Sequence, residues 1–162
     1  MLRRWIEDWR RGRRARSASD LEDWLDSSTT LLALCQGPLR AAEGPADIGV
    51  VLDQIDRRLM RFRGEAAAVR SALRQQSSLA LRLRNATDSL FVLRNQTCAF
   101  LLRWQSLRQI DRANVLAIDS IRSMEESRLQ ASRTAREVGE ALEGLAPELQ
   151  QLIATWGRAG PM

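Results

Sequence analysis

The sequence of 162 residues contains no histidine, lysine or tyrosine, and all 25 of its basic residues are arginine. Without histidine, the chain has no Ser-His or Cys-His nucleophile, no histidine metal ligand and no ready pH switch near neutrality. The acidic residues stand beside arginines in helix-like sequence, as is typical of solvated faces. Pairs such as Asp53 and Asp56, or Glu125 and Glu126, lack the Glu-x-x-His pattern of metal-binding bundles. We therefore expect a protein that is not an enzyme and has no cofactor or metal.

Cysteine is also scarce, because Cys35 and Cys98 are the only two. They stand far apart in sequence, which predicts neither a zinc cluster nor a redox pair, and both are expected to be ordinary buried thiols. The sequence has no secretory signal pattern and no disulfide framework, which favours a cytoplasmic location, possibly at a membrane. The longest apolar stretch, residues 90–104, contains two arginines and is too short and polar to cross a bilayer.

Charge is unevenly distributed along the chain. Residues 1–16 hold seven arginines and two acids, a net charge of +5 that equals the formal charge of the whole protein. The remainder is neutral in sum but divided into blocks, with −7 over residues 17–56, +9 over 57–112 and −3 over 113–148. Such blocks are typical of antiparallel helices whose pairing is chosen by charge. A basic face for nucleic acid or acidic lipid is the competing interpretation.

Residues 1–16, which we call the N-terminal arm, are predicted to form a separate cationic amphipathic helix. Two aliphatic and two indole side chains fall at i, i+3, i+4 and i+7, on one stripe of a helix. These are Leu2, Trp5, Ile6 and Trp9. The candidate interaction residues of the arm are Trp5, Trp9, Arg3, Arg4, Arg10, Arg11, Arg13 and Arg14. A hinge is predicted behind the arm, at residues 17–19.

Three interpretations of this arm remain open. In the first, Trp5 and Trp9 pack onto the protein's own helices and the arginines are solvated. In the second, the helix binds an anionic membrane or a partner protein, with indoles at the level of the lipid headgroups. In the third, it enters a groove of structured RNA. Glu7 and Asp8 argue against an organelle-targeting peptide, because such peptides avoid acids.

Residues 17–162 predict an all-α body of long amphipathic helices, without a strand pattern, a phosphate-binding loop or an internal repeat. The expected helices cover approximately residues 20–36, 46–84, 88–143 and 147–156. Gly37-Pro38 is expected to end the first of them, and a turn is expected at residues 85–88. Gly144 and Pro147 are expected to divide the last two.

The clearest periodicity lies in the second predicted helix, where apolar residues advance alternately by four and three. We call this series the heptad seam: Ile48, Leu52, Ile55, Leu59, Phe62, Ala66, Val69 and Leu73. An average spacing of 3.5 residues is the condition for continuous helix contact, so it predicts an antiparallel bundle or a coiled-coil hairpin.

Two further heptad series follow the heptad seam. One contains Phe100 and Trp104, and the other contains Ile121 with two polar members, Asn114 and Arg128. These polar residues either fix the register of a partner helix or lie exposed.

The functional expectation that combines these features is a non-enzymatic adaptor, chaperone or assembly subunit. It would bind other protein chains, or copies of itself, through its helical seams. The alternative is a peripheral membrane or nucleic-acid-binding protein anchored by the N-terminal arm, with an anionic membrane favoured over nucleic acid. An enzyme that uses carboxylates, or a helical sensor of a small molecule, is the least favoured expectation.

Overall fold

A computed structural model describes residues 1–40, 47–109 and 115–158, and these residues form four α-helices that pack against one another. The helices are α1 (Leu2–Arg40), α2 (Ile48–Ala72), α3 (Ser77–Leu107) and α4 (Val115–Arg158). No strand occurs in the described part of the chain. The prediction of an all-α fold is confirmed, whereas several of the predicted helix boundaries are wrong.

α1 is one continuous helix, so the hinge predicted at residues 17–19 and the end predicted at Gly37-Pro38 are both wrong. Once the later part of a helix is fixed by packing, each residue added at its N-terminal side gains a hydrogen bond without a new nucleation cost. Arginine, which dominates the arm, is a good helix former. Pro38 lies in the last turn, where its missing N–H forfeits a single bond, and it is buried there with Leu39. The rest of the predicted loop, at 41–46, lies outside the described residues.

The helix predicted over residues 46–84 is divided in the structure by a turn at residues 73–76. The backbone N–H of Gln76 donates to the carbonyl of Leu73 at 2.9 Å and closes this turn. Leu73 is buried, but the residues that follow it, 74–78, are polar and exposed, so none of them packs into the core to continue the helix. The turn predicted at residues 85–88 is wrong, because that segment lies inside α3 and Thr87 is buried there.

The helix predicted over residues 88–143 is likewise two helices, since α3 ends at Leu107 and α4 begins at Val115. The change of apolar phase near Leu107 marks this end. The predicted seam residue Asn114 lies outside the described residues.

The division predicted at Gly144 and Pro147 is absent, because α4 continues through both residues. Arg82 of α3 donates to the carbonyl of Gly144 at 3.4 Å and to the carboxylate of Glu148 at 2.6 Å. These bonds fasten both sides of the proline to the neighbouring helix, which compensates for the hydrogen bond that proline cannot donate.

The core is centred on Trp24 of α1, which is completely buried. Its indole N–H donates to the hydroxyl of Thr87 at 3.2 Å, and its ring lies 6.2 Å from that of Phe62. Phe62 in turn meets Phe91 of α3 at 5.7 Å. Seven of the eight heptad-seam residues are buried, and Leu52 is half-buried. The strongest periodicity of the sequence is therefore satisfied within the chain's own core.

Candidate functional site

The N-terminal arm is the part of α1 that no other described helix covers. None of its side chains is buried, and only Ile6 and Ala15 are half-buried. The exposed fractions of Leu2, Trp5 and Trp9 are 75%, 67% and 54%. At 1.5 Å per residue the arm is about 24 Å long.

Trp5 and Trp9 therefore do not pack onto the protein's own helices, and that interpretation of the arm is wrong. The first buried residue of α1 is Ala18, beyond which Leu21 and Trp24 enter the core. The arm precedes the part of α1 that contacts the other helices. Three of the four residues of its apolar stripe are consequently exposed, and Ile6 is half-buried.

The arginines of the arm are almost free of internal partners. Arg11 lies 3.9 Å from the carboxylate of Asp8, and both side chains are more than half exposed, so this pair is weak. The guanidinium carbon of Arg13 lies 5.2 Å from the ring centroid of Trp9, a cation–π contact. Within the described chain no ion pair involves Arg3, Arg4, Arg10 or Arg14. The arm therefore combines an open apolar stripe with uncompensated positive charge.

The other predicted seam residues have mixed positions. Phe100 is buried and Trp104 is half-buried beside the guanidinium of Arg108, 5.8 Å from its ring centroid. Ile121 is 44% exposed, so the packed helices of this chain do not cover this member of the predicted seam. Ala117 and Met124, which precede and follow it on the same series, are buried, so Ile121 lies at the exposed edge of that face.

Arg128 is neither exposed nor an isolated charge in the core. Its guanidinium is bonded to the carboxylate of Glu125 through Nε, at 2.9 and 3.0 Å from the two oxygens, and through Nη2. It also donates to the carbonyl of Leu39 at 3.3 Å, at the C-terminal end of α1. The hydrogen bond from Arg128 lowers the pKa of Glu125 below its usual value. Arg128 thus caps one helix from another.

Three of the four carboxylates considered as catalytic or metal-binding pairs, those of Asp53, Asp56 and Glu125, are engaged with arginine. Asp53 pairs with Arg57 at 2.9 Å, and Asp56 is bonded to Arg94 of α3. In the described ranges no three His, Cys, Asp or Glu side chains are grouped to hold a metal ion.

The two cysteines are brought together by the fold, which their separation in sequence did not predict. Burial raises the pKa of the Cys35 thiol to about 12, and the nearby Cys98 thiol contributes to this rise. Burial also raises the pKa of Cys98. Both thiols are free, and their raised pKa values make them unreactive. One feature of the sequence did indicate that these thiols are buried, because both cysteines lie on the apolar faces of their helices.

None of the described helices has an apolar segment long enough to cross a membrane. Comparisons of the chain with protein-family models, curated proteins and solved structures returned no match.

Proposed function

We propose that this chain is a non-enzymatic helical binding protein whose N-terminal arm docks onto an anionic phospholipid surface. The observation that carries the proposal is the exposure of Trp5 and Trp9 on one stripe of a helix rich in unpaired arginine. The packed helices would act as a rigid body that the arm holds at the membrane.

The apolar stripe fits the boundary between headgroups and acyl chains. Leu2 and the two indoles would be buried in that boundary, as in helices that lie in the plane of a membrane. Indoles favour this depth because one edge is apolar and the N–H can be hydrated. Burial of these side chains supplies an affinity that does not depend on charge.

The arginines fit the phosphate layer above that boundary. Each basic residue near an anionic surface contributes about 1 kcal/mol of attraction, and the arm has five more arginines than acids. Arg13 stacks on Trp9 and so places a cation at the edge of the stripe.

Nucleic acid explains the arm less well than a membrane does. RNA would attract the arginines but would leave Leu2, Trp5 and Trp9 without an apolar partner. A membrane satisfies both faces of the helix.

The test is sedimentation of the full chain with vesicles of phosphatidylglycerol and phosphatidylcholine, compared with vesicles of phosphatidylcholine alone. We expect binding to the anionic vesicles, a blue shift of tryptophan emission, and partial weakening by salt. The variant Trp5→Ala with Trp9→Ala should reduce binding by about tenfold or more, since it removes two interfacial anchors.

A matched variant is Arg57→Gln with Arg133→Gln, which removes two exposed arginines from α2 and α4 and should bind like the unmodified chain. Equal loss in this variant would mean that the vesicles respond to net charge alone. Binding to structured RNA that is unchanged by the two alanines, without vesicle binding, would support the nucleic-acid function instead.

A second candidate function, an adaptor for other protein chains, is favoured by exposed apolar residues near the start of α4. Ile118, Ile121 and Leu129 are all more than 40% exposed and share one side of the helix, and Leu102 of α3 is 53% exposed. A helical partner would complete this surface. Replacing Ile118 and Ile121 by serine should abolish self-association or heteromeric assembly in light scattering, and a monodisperse monomer before the change contradicts self-association.

We also infer that the helices form an antiparallel bundle. Arg82, near the start of α3, contacts Glu148 near the end of α4, whereas Arg103, near the end of α3, donates to the carbonyl of Ser123. Cross-linking between a cysteine engineered near the start of α3 and another near the end of α4 would check this arrangement.

A further inference from the structure

A cleft of about 440 Å³ opens between α2 and α3, beside the turn that joins them. Although these helices are consecutive in sequence, they form the loosest of the helix pairings. The deeper walls of the cleft are apolar, with Val69 and Leu73 on one side and Leu83 on the other. Its volume falls within the range of about 300–1,000 Å³ that is typical of ligand sites.

Two alanines explain why the helices do not close here. One turn before the cleft, Phe62 and Phe91 bridge the gap with ring centroids 5.7 Å apart. The next member of the heptad seam is Ala66, and Ala80 lines the cleft from α3. Helix axes stand about 8–10 Å apart, a distance that two methyl groups do not fill. The cleft is thus left open by the small side chains of Ala66 and Ala80.

The rim of the cleft is positively charged. Arg70 and Arg84 stand on opposite walls and are both exposed. Among the described residues neither arginine forms an ion pair, and no acidic side chain lines the cleft. The hydroxyl of Thr87 is already engaged with Trp24 and with the carbonyl of Leu83. The cleft therefore offers an apolar interior below two unpaired cations.

We propose that this cleft binds the hydrocarbon chain of a free long-chain fatty acid, with its carboxylate held between Arg70 and Arg84. Guanidinium groups bind carboxylates through paired, charge-assisted hydrogen bonds, which matches the open ends of these two arginines. A narrow cleft between two helices accommodates one chain, which disfavours two-chain phospholipids. The inference is independent of the membrane function, because none of these residues belongs to the N-terminal arm.

The test is isothermal titration calorimetry of the full chain with laurate, dodecanol and dodecyltrimethylammonium, each below its micelle concentration. These ligands share one hydrocarbon chain and differ in head-group charge. We expect one laurate per chain, dodecanol weaker by about tenfold or more because it lacks the charge-assisted bonds, and still weaker binding of the cationic ligand.

Two variants separate the rim from the interior. Arg70→Gln with Arg84→Gln should reduce laurate affinity by about tenfold and leave dodecanol unchanged, since only the charged contact is lost. Ala80→Leu should fill the cleft and weaken both ligands, with circular dichroism checking that the helices persist. The control, Arg122→Gln with Arg133→Gln, removes two exposed arginines of α4 and should bind laurate normally.

Equal affinities for laurate and dodecanol, or equal effects of the two arginine pairs, would overturn the proposal. Loss of laurate binding in Trp5→Ala with Trp9→Ala, but not in the Arg70 and Arg84 variant, would also overturn it and would place the ligand on the arm. Vesicle binding by the arm can fail without affecting these results.

Discussion

The two parts of α1 have opposite surroundings within one helix. Residues 1–16 expose their apolar stripe, whereas residues 18–40 place Leu21, Trp24 and Leu31 in the core with no exposed surface. Both parts carry tryptophan and both are helical, so neither the presence of tryptophan nor helix formation distinguishes their surroundings. The difference is the presence of neighbouring helices. An apolar stripe is consequently a structural element in one part and a candidate binding surface in the other.

The largest expected effect is the loss of stability when the tryptophan of the packed part of α1 is removed, compared with removal of a tryptophan from the arm. Trp24→Ala should lower the free energy of unfolding by about 3–5 kcal/mol, because it leaves a cavity and removes the bond to Thr87. Trp9→Ala should change it by less than about 0.5 kcal/mol. Urea unfolding followed by circular dichroism measures both. Similar losses for the two variants would contradict the division of α1.

A second test uses alkaline pH and the packed part of α1. The Cys35 thiol has its pKa raised from 9.0 to about 12 in the folded state. Above about pH 9 the unfolded chain loses this proton and the folded chain keeps it, so stability falls as pH rises toward 12. The slope approaches 1.4 kcal/mol per pH unit, or about 2 kcal/mol by pH 10.5. Urea unfolding at several pH values measures it.

The absence of lysine and tyrosine makes this measurement unusually clean, since few other groups titrate in that range. Cys35→Ala should remove most of the slope, and Cys98→Ala, at a half-buried thiol, should remove less. A slope that survives the Cys35 change would mean that this thiol is not the group responsible.

A third test compares two exposed glycines with open space around them. An added Cβ meets nothing within 4 Å at Gly12 in the arm or at Gly64 in α2. Each change to alanine should stabilise its helix by about 0.5–1 kcal/mol. Gly64→Ala should raise the global free energy of unfolding, because α2 is part of the core. Gly12→Ala should act only locally, as slower hydrogen exchange of arm amides. A global effect of Gly12→Ala would show that the arm is coupled to the core.

The smallest effect concerns the C-terminal end of α1, where Arg128 caps Leu39 and pairs with Glu125. Because the folded-state pKa of Glu125 is lowered, its contribution is present above the unfolded-state pKa and is lost as pH falls through the folded-state value. The pair is substantially exposed, so Glu125→Gln should cost less than about 0.5 kcal/mol at neutral pH. The difference from the unmodified chain should vanish in acid, as thermal unfolding at both pH values would reveal.

Sequence periodicity predicted the helical class and the buried face of α2 because both depend on local spacing. Ile55, Phe62 and Val69 are completely buried, as an unbroken heptad series requires. Periodicity did not predict where the helices end. The continuity through Pro147 depends on the bonds from Arg82 of α3, which no local pattern contains.

The candidate site was predictable only in part. The sequence identified Trp5, Trp9 and the surrounding arginines, since an amphipathic stripe and a charge cluster are local features. It left open whether the indoles pack internally. The cleft between α2 and α3 was not predicted, because Ala66 reads as an ordinary small member of the heptad seam until Ala80 is placed opposite.

By itself the sequence determined that this chain is helical, that α2 presents one continuous apolar face, and that the net charge of the arm equals that of the whole chain. These properties follow from residue spacing and composition along a single helix. Only the tertiary structure decided which apolar stripes are covered, brought Cys35 near Cys98, and opened a cleft between two alanines. Burial is set by neighbours that are distant in sequence, and the same stripe is core or surface according to whether another helix reaches it.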